Sequence, residues 1–156
     1  MATNKITWVN ETIATIVSTE LNSLGVDSAS TVTSSAYDNE TNQYQFASFE
    51  ALLDYGTAPA AEGQVSLYWY PSIDNSTFMD SSQQLFDNLV GHFSVANTAA
   101  AARYPLFTHL NGGGIIVPLP PFQLKWIVVN NATTALAASG STIRMRPFNH
   151  DIQAAA

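Results

Sequence analysis

The chain has 156 residues, enough for one domain with one core, because a chain of this size buries roughly 70% of the surface it exposes when unfolded. Five Lys and Arg against twelve Asp and Glu leave a net charge of −7, which repels a phosphate backbone and excludes nucleic acid as a partner. With no cysteine there is no disulfide framework, no thiolate nucleophile and no Cys-based zinc site, and with only 11% charged residues the surface is polar but mostly uncharged.

The start, MATNKITWVNETIATIV, lacks the basic region and unbroken apolar run of a secretory signal, and no apolar run approaches the length that spans a bilayer. The expectation is a soluble product of cytosolic synthesis with no membrane partner. Residues 1–11 read as an N-terminal arm whose Ile6, Trp8 and Val9 reach a neighbouring subunit or another surface of an assembly, because they are apolar and precede the first clear strand. Residues 12–152 read as a single domain and 153–156 as a frayed tail.

Between residues 12 and 24 two patterns compete. Ile13, Ile16, Val17, Leu21 and Leu24 keep helical spacing with Gly25 at a C-cap position, whereas the density of β-branched Thr12, Ile13, Thr15, Ile16, Val17 and Thr19 favours a strand, the preferred reading. In YQFASFEALLDY, Tyr44 and Phe46 share one phase and Phe49, Ala51, Leu53 and Tyr55 the other. One extra residue around Ala47-Ser48 restores the register, which predicts a β-bulge or a change of sheet there. QVSLYWY, Gln64 to Tyr70, alternates Val65, Leu67 and Trp69 against Ser66, Tyr68 and Tyr70, and Pro71 is expected to stop it. Tyr68 and Tyr70, on the face away from the core, are candidates for contact with a second sheet or a partner.

Ser81 to Phe93 reads as a short helix, with Leu85, Phe86, Leu89 and Val90 repeating at helical spacing after a capping Asp80. Asn97 to Ala102 reads as a surface crossing, and Pro105 to Pro118 as a turn, a short strand through Leu106, Thr108 and Leu110, a flexible Asn-Gly-Gly-Gly stretch and the apolar run Ile115 to Val117. A strand then carries Phe122, Leu124, Trp126 and Val128 on one face, and Gln123 and Lys125 giving way to Ile127 and Val129 on the other, so its far end is expected to be covered on both sides. Asn130-Asn131 makes a turn, Ala132 to Gly140 re-enters the sheet with little side-chain bulk, and Ser141 to Arg146 is the last strand. Many short strands with Gly/Pro turns and at most one short helix make the fold class all-β, a β-sandwich of jelly-roll type.

Chemistry is scarce in the pattern. The histidines at 92, 109 and 150 form no HExxH or HxH, and there is no GxSxG elbow or phosphate-binding loop. The carboxylate pairs Asp74/Asp80 and Glu50/Asp54 read as turn and exposed strand residues rather than a glycosidase pair. No cofactor or metal is expected. Four Asn-x-Ser/Thr sequons, at Asn10, Asn39, Asn75 and Asn131, read as accidents of an Asn/Thr-rich chain. Trp8, Tyr68, Trp69, Tyr70 and Trp126 could stack on sugar rings, though Trp69 and Trp126 keep phase with aliphatic residues and read as core.

Two blocks, YDNETNQYQFASFEALLDYGTAPAAEGQVSLYWYPSIDNSTFMD (Tyr37 to Asp80) and PLPPFQLKWIVVNNATTALAASGSTIRMRPFN (Pro118 to Asn149), resemble a family of small virion structural proteins of tailed bacteriophages. The resemblance rests on an Asp-Asn-x-Thr-Asn start, a "TAP" turn, a strand ending in a Pro-Ser-x-Asp loop and the late block, and it covers about half the chain. In the family that loop continues with glycine, whereas here Asn75 follows Asp74, and residues 81–111 fall outside the match. The resemblance implies a β-sandwich without enzymatic activity that decorates the capsid exterior as a cement protein, with the major capsid protein and its own copies, as dimer or trimer, for partners. A net charge of −7 suits the side of a shell away from packaged DNA. A tail, neck or fibre-associated virion component and a carbohydrate-binding module are the alternatives.

Overall fold

The structure, a computed structural model, describes residues 5–26, 31–78, 88–108 and 115–153. Its strands are β1 (Lys5–Asn10), β2 (Ala14–Val17), β3 (Thr31–Thr33), β4 (Tyr37–Asp38), β5 (Phe46–Leu53), β6 (Gly63–Ser72), β7 (Leu89–Val95), β8 (Ala102–Thr108), β9 (Val117–Pro118), β10 (Gln123–Asn130) and β11 (Thr142–Gln153). The helical elements described are a 3-10 turn, Thr19–Leu21, and one α-turn, α1 (Asn39–Asn42). The chain is all-β, as its alternation predicts.

Every pairing among the described residues is antiparallel, and the strand path runs β1-β11-β5-β8-β7-β6-β10-β3, with β2 beside β11, β4 beside β10 and β9 beside β5. The path folds into two facing sheets. Sheet A holds β1, β2, β11, β5, β9 and the first half of β8, and sheet B holds the second half of β8 with β7, β6, β10, β3 and β4. β5 pairs with β11 in sheet A, and their sequence neighbours β6 and β10 pair with each other in sheet B. A two-stranded ribbon wrapped from one sheet to the other in this way is the jelly-roll arrangement.

Between the sheets, side chains of alternating phase meet. Ala47, Phe49, Ala51 and Leu53 of β5 and Ile143 and Met145 of β11 face Val65 and Leu67 of β6 and Leu124, Trp126 and Val128 of β10 in one buried cluster. Trp126 lies fully buried with its ring 5.0 Å from Phe49 across the gap, edge to face. One end of the sandwich is closed by the loop from Asn131 to Ser141. Leu136 donates to the Leu24 carbonyl and Ala137 to that of Asp54, and Asn130, fully buried, donates through its side-chain amide to the Thr134 and Leu24 carbonyls and accepts from Ala132 N–H and the Tyr55 hydroxyl. The small residues of this loop let it pass that close to neighbouring backbone. Burial raises the Tyr55 hydroxyl pKa, so it remains a donor across the ordinary pH range.

Several expectations change. β5 alternates without interruption, and its register with β11 is continuous from Phe46 opposite Phe148 to Leu52 opposite Thr142, so there is no bulge at Ala47-Ser48. What changes there is the neighbour: β9 pairs at Phe46 and Ala47, and β8 from Glu50 onward. β6 runs through Pro71 to Ser72. Trp126 bonds away from β6, to Ser34, so Leu124, two residues off, also faces away, and its opposite number Pro71 needs no donor toward β10. The missing N–H points to the side where pairing with β7 has ended at Tyr68.

Leu89–Val95 is strand rather than the end of a helix, while residues 80–87 of that reading lie outside the described residues. Its register slips at Val90, which turns into the main core while Leu89 packs with a second cluster on the outer face of sheet B. Residues 12–24 divide into β2 and the 3-10 turn, with Val17, Leu21 and Leu24 buried. β8 begins at Ala102 and contains Pro105, and β11 continues past Arg146 to Gln153. Residues 109–114, with His109, and the tail at 154–156 lie outside the described residues.

β7 and β8 approach so closely that a Cβ on Gly91 would fall on the Phe107 carbonyl. Gly91→Ala is therefore expected to push the two strands apart and lower the unfolding free energy by about 1–3 kcal/mol in chemical denaturation. Asn130→Ala, which strands several buried backbone groups, should lower it by about 2–3 kcal/mol in the same measurement.

Candidate interaction surface

The two sheets differ on their outer faces. On sheet B, Tyr68 and Tyr70 of β6 and Ile127 and Val129 of β10 form a buried cluster. This bears out the expected double cover of the far end of β10, and it corrects the expectation that Tyr68 and Tyr70 offer a partner interface: they are 8% and 2% exposed. With Trp126 also buried, Tyr68, Tyr70 and Trp126 cannot stack on a sugar.

The outer face of sheet A carries Phe46 and Ser48 of β5, Arg144, Arg146, Phe148 and His150 of β11, and Trp8 of β1. Lys5–Asn10, expected as part of an arm, is laid antiparallel along β11 with Trp8 opposite His150 and Asn10 opposite Phe148. Phe46 stacks on Phe148 at 5.7 Å and 22°, and His150 tilts against Phe46 at 5.4 Å. Trp8 stands edge-on over these rings, 5.4 Å from Phe148, 5.9 Å from His150 and 6.4 Å from Phe46. It remains 56% exposed. Edge-to-face and offset ring pairs each hold about 0.5–1.5 kcal/mol beyond burial, so this cluster is rigid as well as apolar.

Beside the cluster opens a groove of about 620 Å³ between Phe46, His150, Tyr44, Gln43, Glu40 and Pro118. Asn39 fixes its wall. Fully buried, it donates to the Tyr44 and Pro120 carbonyls and accepts from Tyr44 N–H, tying α1 to the turn before β10. Asp38 caps α1 by accepting from Thr41 N–H and hydroxyl, which hold its carboxyl below the usual range. Farther along the face, the Glu50 carboxylate takes the guanidiniums of Arg103 at 2.6 Å and Arg144 at 2.5 Å. Desolvation pushes that carboxyl up, and the two guanidiniums outweigh it and leave it below its ordinary value.

Of the residues expected at an interface, Trp8 is brought into this cluster, and Val9 is 45% exposed on the opposite face of β1. Ile6 pairs with Ile152 in the ladder, and its side chain lies outside the described residues. Phe46, Phe148 and His150 join Trp8 in the cluster without being among the residues expected at an interface. Their signal is present in the sequence: Phe148 and His150 continue the phase of Arg144 and Arg146, and Phe46 breaks the inward phase of β5.

No assembly of reacting groups occurs elsewhere among the described residues. Ser66 bonds His92 Nδ1 at 2.9 Å, but Ser66 is fully buried and also receives the Asn131 amide, so its hydroxyl is closed to a substrate. Glu50 is occupied by arginines, Asp54 accepts from Gly56 N–H, and Asp80 lies outside the described residues. No group of three His, Asp or Glu side chains among the described residues could hold a metal ion, and no described helix is long and apolar enough to cross a membrane.

Asp74 closes the loop after β6 as an Asx turn. Its Oδ1 accepts from Thr77 N–H at 2.7 Å, Ser76 N–H at 3.0 Å and the Ser72 hydroxyl at 2.9 Å, and these donors hold the carboxyl well below the usual range. Next to it, Asn75, at φ 56°, accepts from Gln123 N–H and donates to Glu40. Because the turn binds the carboxylate, its contribution is complete above the ordinary carboxylate pKa and is lost as pH falls through the lowered value. Wild type should therefore lose thermal stability below about pH 4, and Asp74→Ala should show a lower melting temperature at neutral pH with a shallower acid decline.

No family model matches the chain, and no curated protein matches it. Among solved structures it is similar to desmodium yellow mottle tymovirus, at 15% identity and a TM-score of 0.39 over 99% of this chain and 84% of that one. It is also similar to turnip yellow mosaic virus, at 11% identity and 0.38 over 99% and 96%. CBM32-1 from a family 31 glycoside hydrolase of Clostridium perfringens follows at 14% identity and 0.34 over 91% and 94%. Likenesses at TM-scores this low add nothing to the architecture, which rests on the chain's own strand pairing.

Proposed function

We propose that this chain is a non-enzymatic structural protein of a tailed-phage particle, a decoration protein that sits on the outer face of the capsid and stabilises it. The observation that carries the reading is the asymmetry of the two sheets. The outer face of sheet B is buried over β6 and β10 and exposes the ring of Phe107 on β8, whereas that of sheet A presents a rigid aromatic cluster drawn from three strands with Trp8 56% exposed. A fixed apolar patch on strands, bordered by the paired charges of Glu50, Arg103 and Arg144, suits an interface with a preformed partner surface.

The likeness of Tyr37 to Asp80 and Pro118 to Asn149 to small virion proteins supports a particle as the setting. The charge of −7 supports its exterior, away from packaged DNA. The partners are then the major capsid protein, met through Trp8, Phe46 and His150, which Phe148 supports from below, and further copies of this chain. On a shell such contacts repeat, so each can be weak.

Mixed with capsids stripped of decoration proteins, the purified protein should co-sediment in stoichiometric amounts and raise the temperature at which the shells open. Trp8→Ala, at a largely exposed position, should fold normally and bind about 10-fold or more weakly, as loss of a central aromatic anchor does. Failure to pellet with capsids, with pelleting on purified tails, would move the protein to the tail.

A further inference from the structure

We infer that β1 is a pairing edge for a second copy of this chain, and that two protomers join sheet A to sheet A about a two-fold axis passing at Trp8. No described strand pairs with the outer side of β1. The opposite end of the strand path is blunted by β3 of three residues and β4 of two, whereas β1, KITWVN, is six residues long without proline or glycine. A long, regular edge lacking those devices is a template for another strand.

The ladder sets the register. Glu11 N–H donates to the Pro147 carbonyl in continuation of the β1–β11 pairing, so Val9 and Thr7, in phase with Glu11, spend their backbone groups on β11. Ile6, Trp8 and Asn10 therefore turn N–H and C=O to the open side. Two antiparallel copies of this edge use all of these groups only when Trp8 lies opposite the partner's Trp8, with Ile6 opposite the partner's Asn10 on either side. That closes about six backbone hydrogen bonds, against about four for a shift of one pair. The same register pairs the two edges over their whole length. It also joins the two aromatic clusters into one continuous face, with Trp8 of each copy at the centre. An isologous contact of this kind closes on itself and yields a dimer rather than a fibre.

The inference does not depend on the particle reading: a failure to bind capsids leaves it standing, and a monomer in solution defeats it alone. The chain has no cysteine, so single-cysteine variants report the register cleanly. In an oxidised Trp8→Cys variant the two Cα atoms lie about 5.5 Å apart, inside the disulfide window of about 4.4–6.8 Å. In Val9→Cys they lie about 8 Å apart, outside it. Sedimentation equilibrium should show a wild-type dimer, Trp8→Cys should cross-link to a covalent dimer, and Val9→Cys should not. Ile6→Pro, which removes one outward donor that β11 does not use, should sediment as a monomer with unchanged circular dichroism. A wild-type monomer or trimer, or cross-linking at Val9 as efficient as at Trp8, overturns the inference.

Discussion

The architecture depends on one strand that belongs to both sheets. β8 pairs through Ala102–Pro105 with β5 and through Leu106–Thr108 with β7, so the sheets are joined by continuous backbone at that corner. Pro105 stands at the change of partner, where Glu50 lies opposite it and the next residue already pairs in the other sheet. With that corner fixed and the β5–β11 ribbon continuing as β6–β10, the inner faces can meet only as they do, Phe49 against Trp126. The outer faces are then fixed as well, because side chains alternate strictly along each strand. What the fold offers to another molecule follows from which residues fill the outward phase.

On sheet B that phase is buried at Ser66, Tyr68 and Tyr70 of β6 and at Ile127 and Val129 of β10, and exposed at Phe107 of β8. On sheet A it is aromatic near β1 and charged near β8. Trp8, Phe46, Phe148 and His150 hold one another by ring contacts from three different strands, so moving any one ring disturbs the others. A patch organised before binding loses little conformational freedom on contact.

Much of this was legible in the sequence where a strand keeps two unlike faces. The alternation of Val65, Leu67 and Trp69, of Leu124, Trp126 and Val128, and of Ile143 and Met145 gave strand, face and core together, and the apolar Ile127 and Val129 announced a second covered face. Legibility failed where an apolar residue points outward. Phe46, apolar but outward-facing, imitates an inward residue out of step, so an unbroken strand reads as bulged. Leu89 and Val90, adjacent and both apolar, mimic a helix repeat because a register slip sends them to opposite buried sides. KITWVN resembled a loose arm because its partner, β11, lies at the far end of the chain, and nothing local in a sequence records a pairing of such separation. The aromatic cluster was hidden for the same reason, being assembled from residues 8, 46, 148 and 150 only by non-local register.

The central claim, that the outer face of sheet A is the surface on which this protein meets its neighbours, is tested most directly by hydroxyl-radical footprinting of the free and the capsid-bound protein. Trp8 and His150 on that face can be read against Ile73 and Phe107, which are 80% and 53% exposed elsewhere. The account predicts that oxidation at Trp8 and His150 falls sharply on binding while Ile73 and Phe107 keep theirs. Protection at Ile73 or Phe107 with Trp8 and His150 unchanged would contradict it.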